Sequence, residues 1–312
     1  MKRIIITSLI GITTMTTTAL TLPLLSQQSY TQTADSQAEK LDSSQTEKLE
    51  QLIKTALQQM GQYQHQKSIE TFQQALAIAR KIKDRKKEAD ANFGLGFNYN
   101  SIGKPQEALN FYNEALPILQ ELGDRSGEAV TLNSIGAVYD NIGKPQKALE
   151  YYQQALPIRR EVGDRSGVAA ALNNIGGVYR NIGKPQKALE YYQQALSIVR
   201  EVNNRSGTAS ILNNIAAVYG SIGKPQKALE YFEQALPIWK EVEDRSGVAT
   251  TLNNIGGVYD NIGKPQKALE YFEQALPIMR EMKNRSGVAT TLNNIGGVYG
   301  SIGKPQKALE YY

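Results

Sequence analysis

The chain contains no cysteine. That excludes a disulfide framework, a thiolate nucleophile and a lipoprotein anchor. Its single histidine, His65, rules out a histidine metal cluster and leaves any Ser-His-Asp arrangement with one poorly placed candidate. The formal net charge is only +5, and +3 once Lys2 and Arg3 at the extreme N-terminus are set aside. A field that weak gives no ground for a nucleic-acid partner. A phosphate-binding loop is missing too. The recurring Gly-Lys-Pro-Gln lacks the G-x-x-x-x-G-K-[ST] spacing and no strand precedes it. No cofactor, metal or small-molecule substrate is expected, and no catalytic residues.

What the chain has is repetition. Gly-Lys-Pro-Gln begins at Gly103, Gly143, Gly183, Gly223, Gly263 and Gly303, always 40 residues apart, with no insertion or deletion. A fixed period of this size marks a solenoid built from one supersecondary unit.

Two segments precede the array. Residues 1–25 carry Lys2 and Arg3 and then an uncharged apolar or threonine-rich stretch from Ile4 to Leu25. This pattern reads as a secretory signal, giving a periplasmic or extracellular protein. The alternative is a membrane anchor through residues 4–25, near the roughly 20 residues a spanning helix needs. Residues 26–45 are Ser, Thr, Gln and small polar residues, expected to form a flexible polar linker. The array then covers 46–312 as six units and the truncated start of a seventh. In the degenerate first unit, Glu47 to Met60 and Lys67 to Lys83 are the expected helices. His65 stands at the turn where later units have proline, and is expected to be solvated.

The unit is clearest from Asp124 to Gly163. Asp124 is cap-competent, as are Asp84, Asp164, Asn204, Asp244 and Asn284 at the same register. Leu132, Ile135, Gly136 and Tyr139 recur at i, i+3, i+4 and i+7, one face of a first helix, A. Gly136 has no bulk, so another helix can approach it closely. Gly143 then stops helix A, and Pro145 starts a second helix, B, where its missing N–H costs nothing. Ala148, Tyr152, Ala155 and Leu156 form the inner face of B, and Tyr151 is expected to pack between units. Pro117, Pro157, Pro237 and Pro277 are expected to bend B, since proline inside a helix removes a hydrogen bond.

These residues resemble the tetratricopeptide repeat: a large apolar residue, Ile-Gly and Tyr in helix A (Leu132, Ile135-Gly136, Tyr139), then Ala, an aromatic and Ala in helix B (Ala148, Tyr152, Ala155). The 40-residue period and Thr-Leu-Asn-Asn at 251–254 and 291–294 look like the kinesin-light-chain form of the repeat. The near-identical copies look like the arrays of cyanobacterial proteins, which often precede a caspase-like CHAT protease domain. The resemblance implies an all-α fold, a right-handed superhelical solenoid of antiparallel helix pairs. It also implies a concave groove that binds extended peptides.

At about 100° per residue, with Leu132 as zero, Asn133 lies near 100°, Ala137 near 140° and Asp140 near 80°, a stripe beside the core face. The candidate groove residues are therefore Asn133, Asn173, Asn213, Asn253 and Asn293, with Asp140, Arg180 and Asp260 at a variable register. A row of amides can pair with a peptide backbone, and can equally bond neighbouring helices. The following asparagines, Asn174, Asn214, Asn254 and Asn294, are expected to be structural. The expected function is a non-enzymatic protein-protein interaction scaffold holding a protein or peptide segment. The alternative is the recognition arm of a larger hydrolase of the CHAT type whose catalytic domain lies beyond residue 312. Helix B of the last unit stops at Tyr312. Its residues after about Gly303 are expected to fray, with self-association through the uncovered face, and the end to be that of a fragment.

Overall fold

The computed structural model describes residues 25–312. They form helices joined by short turns: α1 (Leu25–Gly61), α2 (His65–Ile82), α3 (Arg85–Ser101), α4 (Pro105–Glu121), α5 (Arg125–Asn141), α6 (Pro145–Glu161) and α7 (Arg165–Asn181). The pattern continues through α8 (Pro185–Glu201), α9 (Arg205–Ser221), α10 (Pro225–Glu241), α11 (Arg245–Asn261), α12 (Pro265–Glu281), α13 (Arg285–Ser301) and α14 (Pro305–Tyr311). No strand occurs among the described residues. The N-terminal part of α1, up to Glu50, belongs to a separate compact unit, and the array is Gln51–Tyr312.

The apolar segment read at residues 1–25 lies outside the described residues, Leu25 excepted. Residues 26–45 differ from the expected flexible linker, because they are the first half of α1. The segment has no Gly or Pro before Gly61, and its Gln, Ala, Glu and Lys are good helix formers. Composition without an apolar stripe therefore failed to mark it. Among the described residues no helix is long and apolar enough to cross a membrane.

The turn chemistry follows the sequence. Asp124 Oδ1 accepts from the Gly127 N–H at 2.9 Å, and Asn204 Oδ1 from Gly207 at 2.8 Å, so the first turn of each A helix is capped. Gly143 has φ +70°, the left-handed conformation that ends helix A. Pro145 opens α6 directly after it.

Prolines inside B do not end it. α6 with Pro157 and α8 with Ser197 are both 17 residues long. At the close contact within each hairpin, a Cβ on Gly136 would come within 2.8 Å of the Tyr152 ring. Tyr112, Tyr152, Tyr192, Phe232 and Phe272 fill that space and are at most 2% exposed. One continuous core of such residues runs along the central and C-terminal hairpins.

From α2 onward each helix packs on the next in sequence. Beyond that, the backbones of successive A helices approach closely (α3 and α5, α5 and α7, α7 and α9, α9 and α11, α11 and α13), whereas those of successive B helices stay apart, α2 and α4 being linked by the Arg80–Glu114 ion pair at 2.6 Å. The array therefore curves with its A helices on the inner side. At the far end, residues after Gly303 form α14, with Ala308 buried and Tyr311 stacked on Tyr299 at 5.5 Å, while Leu309 and Tyr312 are exposed.

Candidate functional site: the inner face of the A helices

The asparagine stripe lies on this inner face, half-buried from Asn133 to Asn253 and exposed at Asn293. The two asparagines of each pair are joined across hairpins. Asn174 Nδ2 donates to Asn133 Oδ1 at 3.4 Å, Asn214 to Asn173 at 2.9 Å, and Asn294 to Asn253 at 3.3 Å. The residues expected in the groove and those expected to be structural are thus partners in one ladder. A rung consumes one acceptor on Asn173 and one amide hydrogen on Asn214. It leaves the Asn173 Nδ2 and the Asn214 Oδ1 for another group. Asn213 departs from the pattern: its Nδ2 donates to Thr251 Oγ1 at 2.7 Å.

The variable register lies beside the ladder. Asp140 and Asp260 are half-buried, and Arg180 is exposed. Among the described residues Arg180 makes no ion pair, and its one hydrogen bond there, to Asn181 Oδ1, is 3.5 Å long.

The asparagine register does not continue to the N-terminal end. There it holds Ile53 and Phe93, and the next groove position, Ala137 in α5, becomes Leu57 and Phe97. Leu57 is 48% exposed and Phe97 39%. Ile53, Leu57 and Phe93 line a hollow of about 480 Å³ whose rim carries Lys86, paired with Asp124 and, at 3.5 Å, with Asp90. The Lys86 ammonium and the Gly127 N–H hold the Asp124 carboxyl below its ordinary range.

Away from the groove, charges are tied down. Arg85 pairs with Glu121 at 2.9 Å and Arg125 with Glu161 at 2.8 Å, and Arg165, Arg205 and Arg245 repeat the pairing with Glu201, Glu241 and Glu281. Each pair joins the start of helix A to the end of helix B in one hairpin. Tyr151 packs between units as expected, against a cluster that holds Ala108, Leu109 and Tyr112 of α4 as well as Ile135 and Val138 of α5. It stacks on Tyr139 at 5.4 Å, with Lys147 Nζ 5.2 Å from the Tyr139 ring.

His65 is not merely solvated. Its Nδ1 lies 2.9 Å from Asn98 Oδ1. Burial pushes the Tyr112 phenol up to about 12 and raises Tyr152 and Tyr192 as well. These hydroxyls stay protonated at neutral pH and offer no general base. Among the described residues, no three His, Asp or Glu side chains are grouped to hold a metal.

Sequence reasoning missed Trp239, Thr251 and the His65–Asn98 pair. For Trp239, His65 and Asn98 the signal was present, since each departs from the residue that the other copies carry at its register; Thr251 shares its residue with Thr131 and Thr291 and carried no such signal.

A family model described as tetratricopeptide repeat matches residues 51–121, 114–161, 127–201, 167–241, 207–281 and 247–312. No curated protein sequence matches the chain. Among solved structures, BtubC (BKLC) from P. vanneervenii is 26% identical with a TM-score of 0.62, over 70% of this chain and 92% of that one. The apo form of the quorum sensor NprR from B. thuringiensis is 17% identical with a TM-score of 0.72, over 89% and 78%. A kinesin light chain from Podosopora anserina with nearly identical repeats is 19% identical with a TM-score of 0.53, over 63% and 97%.

Proposed function

Because the chain belongs to the tetratricopeptide repeat family, we propose that it is a non-enzymatic scaffold that holds an extended segment of a partner protein along its inner face. The observation that carries this reading is the ladder. On the concave side of the array, every intact rung keeps an amide donor and a carbonyl acceptor unused. An extended backbone presents the complementary groups at regular intervals. The candidate contacts are Asn133, Asn173, Asn213, Asn253 and Asn293, with Asp140, Arg180 and Asp260 choosing between partners.

The test keeps the rungs and removes the free donors. Asn133→Asp, Asn173→Asp and Asn253→Asp retain an oxygen for the neighbouring asparagine but lose Nδ2. Pools of acetylated, amidated ten-residue peptides are the probe. The triple variant should melt like the parent while binding drops, by about 1 kcal/mol for each lost hydrogen bond. Unchanged binding with unchanged melting would remove the asparagines from the site. We further propose that the protein is exported, on the basic start and apolar stretch of residues 1–25.

A further inference from the structure

The two edges of the array carry their charge differently. Arg125 at the start of α5 pairs with Glu161 at the end of α6, so the B-to-A turns lie at one edge and the A-to-B turns at the other. At the B-to-A edge the arginines that open the A helices are tied to glutamates. At the A-to-B edge stand Lys104, then Lys144 and Lys147, and their copies at each 40-residue step to Lys304 and Lys307. All of these lysines are exposed. Among the described residues Lys86, at the other edge, is the one lysine that makes an ion pair.

The turn from Asn141 to Leu149 holds no acid, and neither do its later copies; in the earlier copy Glu107 takes the place of the second lysine. Glu150 and its copies come about a turn further along helix B, and Asp140 and Asp260, at the ends of two A helices, are half-buried. The second lysine is also held in place. Lys147 Nζ lies 5.2 Å from the centroid of the Tyr139 ring, and Lys187 and Lys227 lie at 5.3 Å over Tyr179 and Tyr219. A ring face fixes an ammonium without cancelling its charge. The small net charge of the chain therefore conceals a row of positioned, unpaired cations along one edge.

A different group of exposed side chains stands at the N-terminal end of this row. The turn between α1 and α2 reads Tyr63-Gln64-His65 where the later ones read Gly-Lys-Pro. Tyr63 is 85% exposed. The His65 ring lies 6.2 Å from Tyr63 and 6.3 Å from Phe97. Phe97 and Leu57, one turn from the ends of α3 and α1, are exposed as well.

We propose that the A-to-B edge docks the array against a bilayer surface of anionic lipids, with the lysine row on the headgroups and Tyr63, Phe97 and Leu57 at the boundary with the acyl chains. Lysines are drawn to such a surface from about a Debye length away, and a ring with a polar tip settles at the boundary. A soluble polyanion would engage the lysines and leave the apolar side chains in water, whereas a bilayer accommodates both. No helix among the described residues is long and apolar enough to cross a membrane, so this contact is peripheral. It uses none of the asparagine ladder and does not depend on the groove reading.

The chain has no cysteine, so one introduced thiol carries a dye to a chosen edge. In the full chain, Gln186→Cys places a polarity-sensitive dye beside Lys187, and Ser166→Cys places it at the opposite edge; both positions are exposed. Vesicles of phosphatidylcholine, alone or mixed with phosphatidylglycerol, are the probe. The dye at position 186 should shift to the blue with mixed vesicles only, and the shift should fade at high salt. The dye at position 166 should stay unchanged. Lys144→Gln, Lys147→Gln, Lys184→Gln and Lys187→Gln together should weaken vesicle binding by about tenfold or more, and Tyr63→Ser by about threefold. Arg125→Gln with Arg165→Gln, which removes charge from the other edge, should leave it unaltered. Circular dichroism checks that each variant is folded.

An equal response to both kinds of vesicle, or a dye at position 166 that responds as strongly as the one at 186, would overturn the proposal. Binding that survives the four lysine exchanges or Tyr63→Ser in full would do the same. So would capture of a single-stranded DNA oligonucleotide by the four lysines with no response to vesicles, since the edge would then read a soluble polyanion.

Discussion

His65 donates from Nδ1 to Asn98 Oδ1 at 2.9 Å, and the tautomer follows from the rest of the network. Asn98 Nδ2 gives its two hydrogens to Ser68 Oγ at 3.0 Å and the Gly94 carbonyl at 2.8 Å, so its oxygen is the only acceptor left. Ser68 passes its own hydrogen to the Ala56 carbonyl at 2.8 Å. Ser68 and Asn98 are 0% exposed. In the next hairpin the three registers hold Pro105, Ala108 and Val138. The polar set thus replaces an apolar one as a unit, with every buried atom satisfied.

That unit should be strongly non-additive. Asn98→Val alone removes the donor to the buried Ser68 oxygen and the acceptor of His65 Nδ1, and should lower stability by about 1–3 kcal/mol. Adding Ser68→Ala and His65→Pro completes the apolar set of the later hairpins and should recover most of the loss. Chemical denaturation of the single and triple variants measures it. Three independent, additive losses would show that the network is not coupled.

Asn92 shows the opposite condition. It is 0% exposed, and neither its Oδ1 nor its Nδ2 has a partner. Its register carries Leu132, Leu172, Leu212, Leu252 and Leu292 in the other units. Asn92→Leu removes two buried unpaired groups and should stabilise the array by about 1–3 kcal/mol, seen as slower hydrogen exchange in α3 and α4. Faster exchange there would mean that the added volume cannot be packed.

Asp124 connects the second and third hairpins to pH. Its carboxyl is held below the ordinary 3.8, first by Lys86 and then by the Gly127 N–H. A depressed folded-state value contributes stability above the unfolded value and loses it as pH falls through the folded one. Asp124→Asn keeps a cap, as Asn204 and Asn284 show, but loses the charge. The variant should be the less stable near neutral pH, and the gap should close as pH drops below about 4. A gap independent of pH would mean that Lys86 adds nothing to the cap.

Export can be checked with a reporter joined after residue 45. Delivery outside the cytoplasm is the expected result, and sequencing the mature N-terminus separates cleavage from anchoring. A wholly cytosolic reporter would end the proposal.

The sequence by itself determined the hairpin. Period, caps and turn glycines are local, and each acts through the backbone of its own few residues: Asp124 on Gly127, Gly143 on the end of α5, Pro145 on the start of α6. The same locality identified Gly136 as a close-approach point. It failed for residues 26–45, where a helix forms without an apolar stripe to announce it.

What tertiary structure decided is which side chains meet across a full period. Asn214 reaches Asn173 from 41 residues away, and Asn213 reaches Thr251 from 38. Helix phase places each of these on the inner face, but whether an amide bonds its neighbour or stays free depends on the stagger of successive hairpins. Angstrom differences there decide whether a hydrogen bond forms, because its strength falls off within a few tenths of an ångström and a few tens of degrees.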